Sequence, residues 1–167
     1  MKSIFRIQIL VGVWFFSSAS TVGDPVASKS AEAKDMYDEG NFDDALRLYR
    51  DAQLERPNSP DLNFNVGNAL FKKGDIESAI DEFNQSVERS NENLKSRSLY
   101  NLGNALFLQQ QFDKAAESYR NALKIDPNDE DFKANLELTL RKQQEQEEQQ
   151  EQEEQQEQEE QQEQEEQ

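Results

Sequence analysis

Two stretches decide the fold: Asn65-Val66-Gly67-Asn68-Ala69-Leu70-Phe71 and Asn101-Leu102-Gly103-Asn104-Ala105-Leu106-Phe107 differ at one position and lie 36 residues apart. A near-identity of that length marks an internal repeat. The same offset carries Ala79 onto Ala115 and Phe83 onto Tyr119. Going upstream by 34 carries Ala79 onto Ala45 and Phe83 onto Tyr49. Three units follow, at 26–59, 60–95 and 96–129, with two extra residues assigned to the turn that closes the second, around Ser90 to Asn93.

Each unit reads as two helices. In the third, Leu99, Leu102, Leu106 and Phe107 recur at helical spacing, and after Gln109-Gln110-Gln111 so do Phe112, Ala115, Ala116, Tyr119, Ala122 and Leu123. Pro127 and Pro57 stop the second helices of their units. Gly40 and Gly74 stand at turns, where a residue without a β-carbon ends a helix cheaply. Gly67 and Gly103, with Ala45, Ala79 and Ala115, mark close helix approach. The second-helix aromatics Tyr49, Phe83 and Tyr119 read as core. In the first unit, Glu32-Ala33 and Met36 make a poor first helix, so its start is expected to fray. Helix pairs repeating every thirty-odd residues build a solenoid, each pair burying its apolar face on the next.

These residues resemble the tetratricopeptide repeat: a Leu-Gly-x-x-Leu/Tyr step, an Ala-x-x-x-Phe/Tyr step and a closing Pro. The third unit has all of it (Leu102-Gly103, Leu106, Ala115, Tyr119, Ala122, Pro127). The second has Val66-Gly67, Leu70, Ala79 and Phe83, but Ser86 and Asn91 where Ala and Pro are expected. The first has Ala45, Tyr49, Ala52 and Pro57. Residues 130–142, with Phe132, Leu136 and Leu140 against a charged face, look like the helix that closes such arrays. The resemblance implies an all-α, right-handed superhelical solenoid of about three repeats plus a closing helix and a Gln/Glu-rich extension.

The ends carry different signals. Lys2 and Arg6 flank an apolar run, Ile7 to Phe16, followed by the small Ser18-Ala19-Ser20. Residues 1–20 therefore read as a secretory signal, with an uncleaved anchor over Ile4 to Val22 and a cytosolic amphipathic start as the alternatives. Residues 143–167 contain only Gln and Glu, with a six-residue period from Glu145 and no apolar seam for a coiled coil. Both are good helix formers, but the period puts like charges one turn apart. The tail is expected to continue the last helix and fray, serving either solubility or attraction of a basic partner. A secretory start, three repeats, the Ala134-Asn135-Leu136-Glu137 closing helix and this tail together resemble the tetratricopeptide members of the bacterial aerotolerance (Bat) operon family. That resemblance implies partners with von Willebrand factor A domains at the cytoplasmic membrane, an exported or periplasmic location and a role in oxidative stress.

Charge and composition narrow the chemistry. Acidic residues number 35 against 18 basic, a net charge of −17, so nucleic acid is an improbable partner. The absence of Cys and His removes the usual thiolate nucleophiles, imidazole bases, zinc sites and haem ligands, and no cofactor is expected. The carboxylate pairs Asp43-Asp44, Asp81-Glu82 and Glu130-Asp131 read as solvated or as first-turn residues that complement the helix dipole, and no phosphate loop or nucleophile elbow occurs. The chain reads as a non-catalytic interaction scaffold, with self-assembly or holdase-like chaperoning as the other classes.

The candidate site is the groove lined by the first helices. Helical spacing from Gly67 and Gly103 puts Phe64, Asn65, Asn68 and Phe71, then Arg97, Tyr100, Asn101, Asn104 and Phe107 on that surface; Asn135 extends the row, and Lys34 and Arg97 supply its positive charge. Five asparagines in helix interiors need a reason, because asparagine is a mediocre helix former. Their amides could pair with the backbone of an extended protein or peptide segment, with the aromatics as side-chain pockets. Equally, they could bond one another as structure. The first use predicts that Asn68→Ala with Asn104→Ala abolishes partner binding without changing stability.

Overall fold

The computed structural model describes residues 24–165, which form seven helices and no strand. They are α1 (Pro25–Asp38), α2 (Phe42–Glu55), α3 (Pro60–Lys73), α4 (Ile76–Arg89), α5 (Glu92–Leu108), α6 (Phe112–Ile125) and α7 (Glu130–Glu165). Consecutive helices pack on one another along the chain, so the three pairs stack in sequence and α7 lies on α6. The expected signal at residues 1–20 falls outside the described residues. No helix among the described residues is long and apolar enough to cross a membrane.

Local chemistry sets the boundaries. Asp24, Ser59, Asp75, Asn91 and Asp129 each accept a backbone N–H of the first turn that follows, satisfying donors that a helix start leaves free. Pro25 and Pro60 open α1 and α3, where a missing N–H costs nothing. Gly40 and Gly74 take φ of +82° and +84° at the intra-pair turns. The third turn makes the same pair of bonds, Gln110 N–H to Phe107 O and Gln111 N–H to Leu106 O, but with Gln110 at φ +58°.

The small residues let the pairs close. Ala45, Ala79 and Ala115 are fully buried, and so are Phe83 and Tyr119, with Tyr49 nearly so, as their positions in the repeat require. Burying a side chain the size of Phe83 contributes about 1.5–3 kcal/mol. A β-carbon on Gly67 would come 2.7 Å from the Phe83 ring, and one on Gly103 would come 2.6 Å from that of Tyr119.

Four expectations are corrected. The first helix is complete: Val26 and Ala33 are buried, Met36 and Tyr37 pack on the core, and ion pairs Asp24–Arg56 and Lys29–Glu55 pin its start to the end of α2. Its packing was hidden because the contacts are spread over small and amphipathic residues. The two extra residues do not enlarge a turn; only Ser90 and Asn91 separate α4 from α5, and the insertion adds a turn to the start of α5, anchored by buried Leu94. Glu82 is not solvated. It is buried, and its carboxylate accepts from Arg50 and, at 3.0 Å, from Gln53 Nε2, which also donates to Asn63 Oδ1 at 2.7 Å. Finally, the tail continues α7 past residue 142 as expected, but it does not give way to irregular chain: the helix runs unbroken to Glu165, helped by Gln143–Glu147 and Gln144–Glu148 bonds one turn apart. Where Ser86 replaces the expected Ala, its hydroxyl donates to Pro60 O at 2.9 Å and accepts from Ser98 at 2.8 Å, so the buried polar group is satisfied.

Candidate functional site

Three pockets of about 230, 220 and 240 Å³ follow one another along the face made by α1, α3, α5 and α7. They share residues: Tyr37 and Asn68 join the first to the second, and Phe71 and Asn104 join the second to the third. The result is one groove, floored by the second-helix aromatics Tyr49, Phe83 and Tyr119.

Ten of the eleven residues named from the sequence line it. Lys34, Phe64, Asn65, Asn68 and Arg97 surround the first pocket. Asn68, Phe71, Asn101 and Asn104 line the second, and Phe71, Asn104, Phe107 and Asn135 the third. Tyr100 lies behind the wall instead, stacked on Phe132 at 4.8 Å between ring centres, with its hydroxyl accepting from Asn135 at 3.0 Å. Phe64 reaches the groove mainly with its face. It is largely buried against Phe83, and the Arg97 guanidinium sits 4.7 Å over its ring, an arrangement in which the ring quadrupole attracts the cation.

Four of the five asparagines form a ladder. Asn101 Nδ2 donates to Asn68 Oδ1 at 2.7 Å, linking α5 to α3, and one repeat on Asn135 Nδ2 donates to Asn104 Oδ1 at 2.9 Å, linking α7 to α5. Asn104 also accepts from the Tyr119 hydroxyl at 2.7 Å. These amides link neighbouring repeats, which favours the structural of the two readings, and on it the Asn68/Asn104 double alanine variant is expected to lose stability. Asn65 is different. The place in the preceding repeat that would partner it, as Asn68 partners Asn101, holds Lys34 rather than an asparagine, and Asn65 makes no side-chain hydrogen bond among the described residues.

Charge is graded along the groove. Lys34 and Arg97 stand at the α1 end, where Asp38 pairs with Lys34 and holds its ammonium above the usual lysine range. Lys72 lines the middle pocket and was missed, although it sits four residues after Asn68 on the same helix face. The α7 end is apolar, with Leu108 and Leu138 beside Phe71 and Phe107; 57% of Leu108 is exposed. Tyr37 was missed because its helix was discounted. Burial raises the hydroxyls of Tyr37 and Tyr49, the latter to about 12, and pushes that of Tyr119 higher still. Among the described residues no cluster of carboxylates could hold a metal ion.

Models of the tetratricopeptide repeat match residues 30–94 and 96–129, between them more than half of the chain. The chain belongs to the tetratricopeptide repeat family. It is 31% identical over 113 residues to the small glutamine-rich tetratricopeptide repeat-containing protein 2 of Mycosarcoma maydis; the match takes in 64% of this chain and spans about a third of that relative, 32%. Among solved structures it is similar to the first tetratricopeptide domain of Spaghetti (RPAP3) bound to the HSP90 peptide SRMEEVD, with TM-score 0.66, 20% identity, and 70% and 90% of the two chains covered. It is also similar to the TPR2AB domain of yeast Sti1 in complex with HSP90, with TM-score 0.65, 25% identity, and 73% and 48% covered. The solenoid of about three tetratricopeptide repeats with a closing helix is thereby the fold of this chain, and the family is a protein-interaction module.

Proposed function

We propose that this array is a non-catalytic adaptor that holds an extended segment of a partner protein along the α1–α3–α5–α7 groove. The observation that carries the reading is the position of Asn65. It is the one groove asparagine outside the ladder, and it shares the first pocket with Lys34 and Arg97. Its amide can both donate to and accept from a peptide backbone, while Arg97 favours a carboxylate beside it, Lys34 being paired with Asp38 of the same pocket. Phe71, Phe107, Leu108 and Leu138 at the other end would take an apolar side chain. The segment therefore carries acidic groups towards α1 and an aliphatic or aromatic group towards α7. Similar structures bound to an HSP90 peptide and in complex with HSP90 support binding of a partner segment in general.

The N-terminal apolar run after Lys2 and Arg6 supports export. On that basis the adaptor works in the cell envelope, and the resemblance to the tetratricopeptide members of the aerotolerance operon family implies partners of the von Willebrand factor A type and a part in oxidative stress. Cell fractionation with tagged protein tests the location: recovery in the cytosol alone would remove the envelope reading without touching the groove.

The groove is tested with labelled SRMEEVD peptide and the full chain, by fluorescence anisotropy. Binding that weakens on C-terminal amidation and is lost in Asn65→Ala with Arg97→Glu supports the reading. Equal binding by the wild type and this variant, or no binding to peptides of acidic character, overturns it.

A further inference from the structure

The repeats are not alike on the opposite face, where the second helices lie. Between α2 and α4 the gap is bridged: Arg50 and Gln53 reach across to the buried Glu82, and Gln53 also holds Asn63 of α3 beneath. One repeat on, the residues at the same places are Asn84, Val87, Ser118 and Leu99. Ser118 donates to Lys114 O on its own helix, and no bridge forms. An open cleft of about 530 Å³ remains between α4 and α6.

Its floor is a stripe of α5: Leu99 and Leu102 are each 7% exposed where Asn63 and Val66 of the bridged repeat are fully covered, and Leu106 at 6% matches Leu70 at 5%. Ile80 and Val87 of α4 make the apolar wall. The rim is acidic, with Glu77 and Asp81 on α4 and Glu117 on α6 against the lone Lys114. An aliphatic floor under a net negative rim complements a helix with leucine-like side chains on one face and lysine or arginine flanking them.

We infer that the α4–α6 cleft is a second docking site, which takes a basic amphipathic helix of a partner protein. It is separate from the peptide groove, with which it shares no lining residue, so the two can be occupied together. The loss of the Arg50–Gln53–Glu82 bridge between one repeat and the next is what opens it.

The probe is a peptide of roughly 14 leucine and lysine residues patterned as an amphipathic helix, matched in length to α4, with a leucine and glutamate counterpart as control. It is titrated into the full chain at physiological salt, and binding is followed by methyl and amide NMR shifts. The expected result is shifts centred on Ile80, Val87, Leu99, Leu102 and Leu106, with no binding of the acidic counterpart. Asp81→Lys with Glu117→Lys changes only exposed side chains and is expected to weaken binding about tenfold. Asn84→Arg, Val87→Gln and Ser118→Glu together rebuild the bridge of the preceding repeat and are expected to abolish binding while SRMEEVD still binds the groove. If this triple variant does not fold, the rim pair decides alone. Shifts confined to the glutamates of α7 or to the groove overturn the inference, as does an affinity unchanged by the rim pair.

Discussion

Gly103 lies directly under the ring of Tyr119, so close that a β-carbon would stand 2.6 Å from its Cε1. Gly67 has the same relation to Phe83 at 2.7 Å. Neither ring can retreat, since both are fully buried. Gly103→Ala and Gly67→Ala are each expected to lose about 1–3 kcal/mol of stability through overpacking, measured by urea denaturation. Gly40 is the contrast: nothing lies within 4 Å of its β-position. Gly40→Ala suffers only the left-handed backbone at φ +82°, about 1–2 kcal/mol. A Gly103→Ala variant as stable as the wild type would show that the ring can move.

The amide ladder makes a coupled prediction. Asn68→Ala and Asn101→Ala remove the two halves of one hydrogen bond, so each is expected to destabilise and their effects to be less than additive. The coupling energy in a double-mutant cycle should be about 0.5–1.5 kcal/mol. Additive losses would mean that the two amides do not meet in solution.

The turn at Gln110 holds a side chain where its two counterparts hold glycine. Gln110 is exposed and its side chain is not needed by the turn. Gln110→Gly is therefore expected to raise stability by up to about 1 kcal/mol, relief of the left-handed strain outweighing the greater freedom of the unfolded chain. A rise in melting temperature with unchanged helical circular dichroism checks it.

Burial raises the hydroxyls of Tyr49 and Tyr119 above their ordinary value of 10.0. The folded state therefore keeps these protons where the unfolded state loses them. Their contribution is whole below about pH 10 and is lost as pH climbs through the folded values. Thermal melts at stepped alkaline pH should show a flat stability up to about pH 9–10 and a fall above. Tyr119→Phe should make that fall shallower, at the expense of the bond to Asn104 at all pH values.

The pairs of helices, their turns at Gly40 and Gly74 and the aromatic core were legible because identical residues recur at a fixed offset. The groove was legible for the same reason, since eight of the nine residues that helical spacing from two glycines selects line it, Tyr100 being the exception. What spacing cannot express is which polar groups satisfy one another. Asn68, Asn104 and Asn65 look alike in the chain, yet the first two are tied into a ladder and the third is left open, because the partner position in the preceding repeat is a lysine. Glu82 is the same lesson in reverse. Its charge reads as solvent-facing until Arg50 and Gln53, thirty residues earlier, are brought over it. Helix α1 lacked the large apolar residues that periodicity detects, and its anchoring ion pairs join positions that are distant in sequence.

Helix α7 has consequences for how copies of this chain could meet. A stack of helix pairs has two raw ends, and head-to-tail joining of such ends generates an open filament. Here one end is sealed: Phe132 and Thr139 are buried and Leu136 packs on the core, while the part of α7 after Thr139 continues as a Gln/Glu rod of about 39 Å at 1.5 Å per residue. Among the described residues the α1–α2 end, where 81% of Leu54 is exposed, is the one left uncapped. Among the described residues that leaves one open end, and end-on association through it terminates at a two-fold pair.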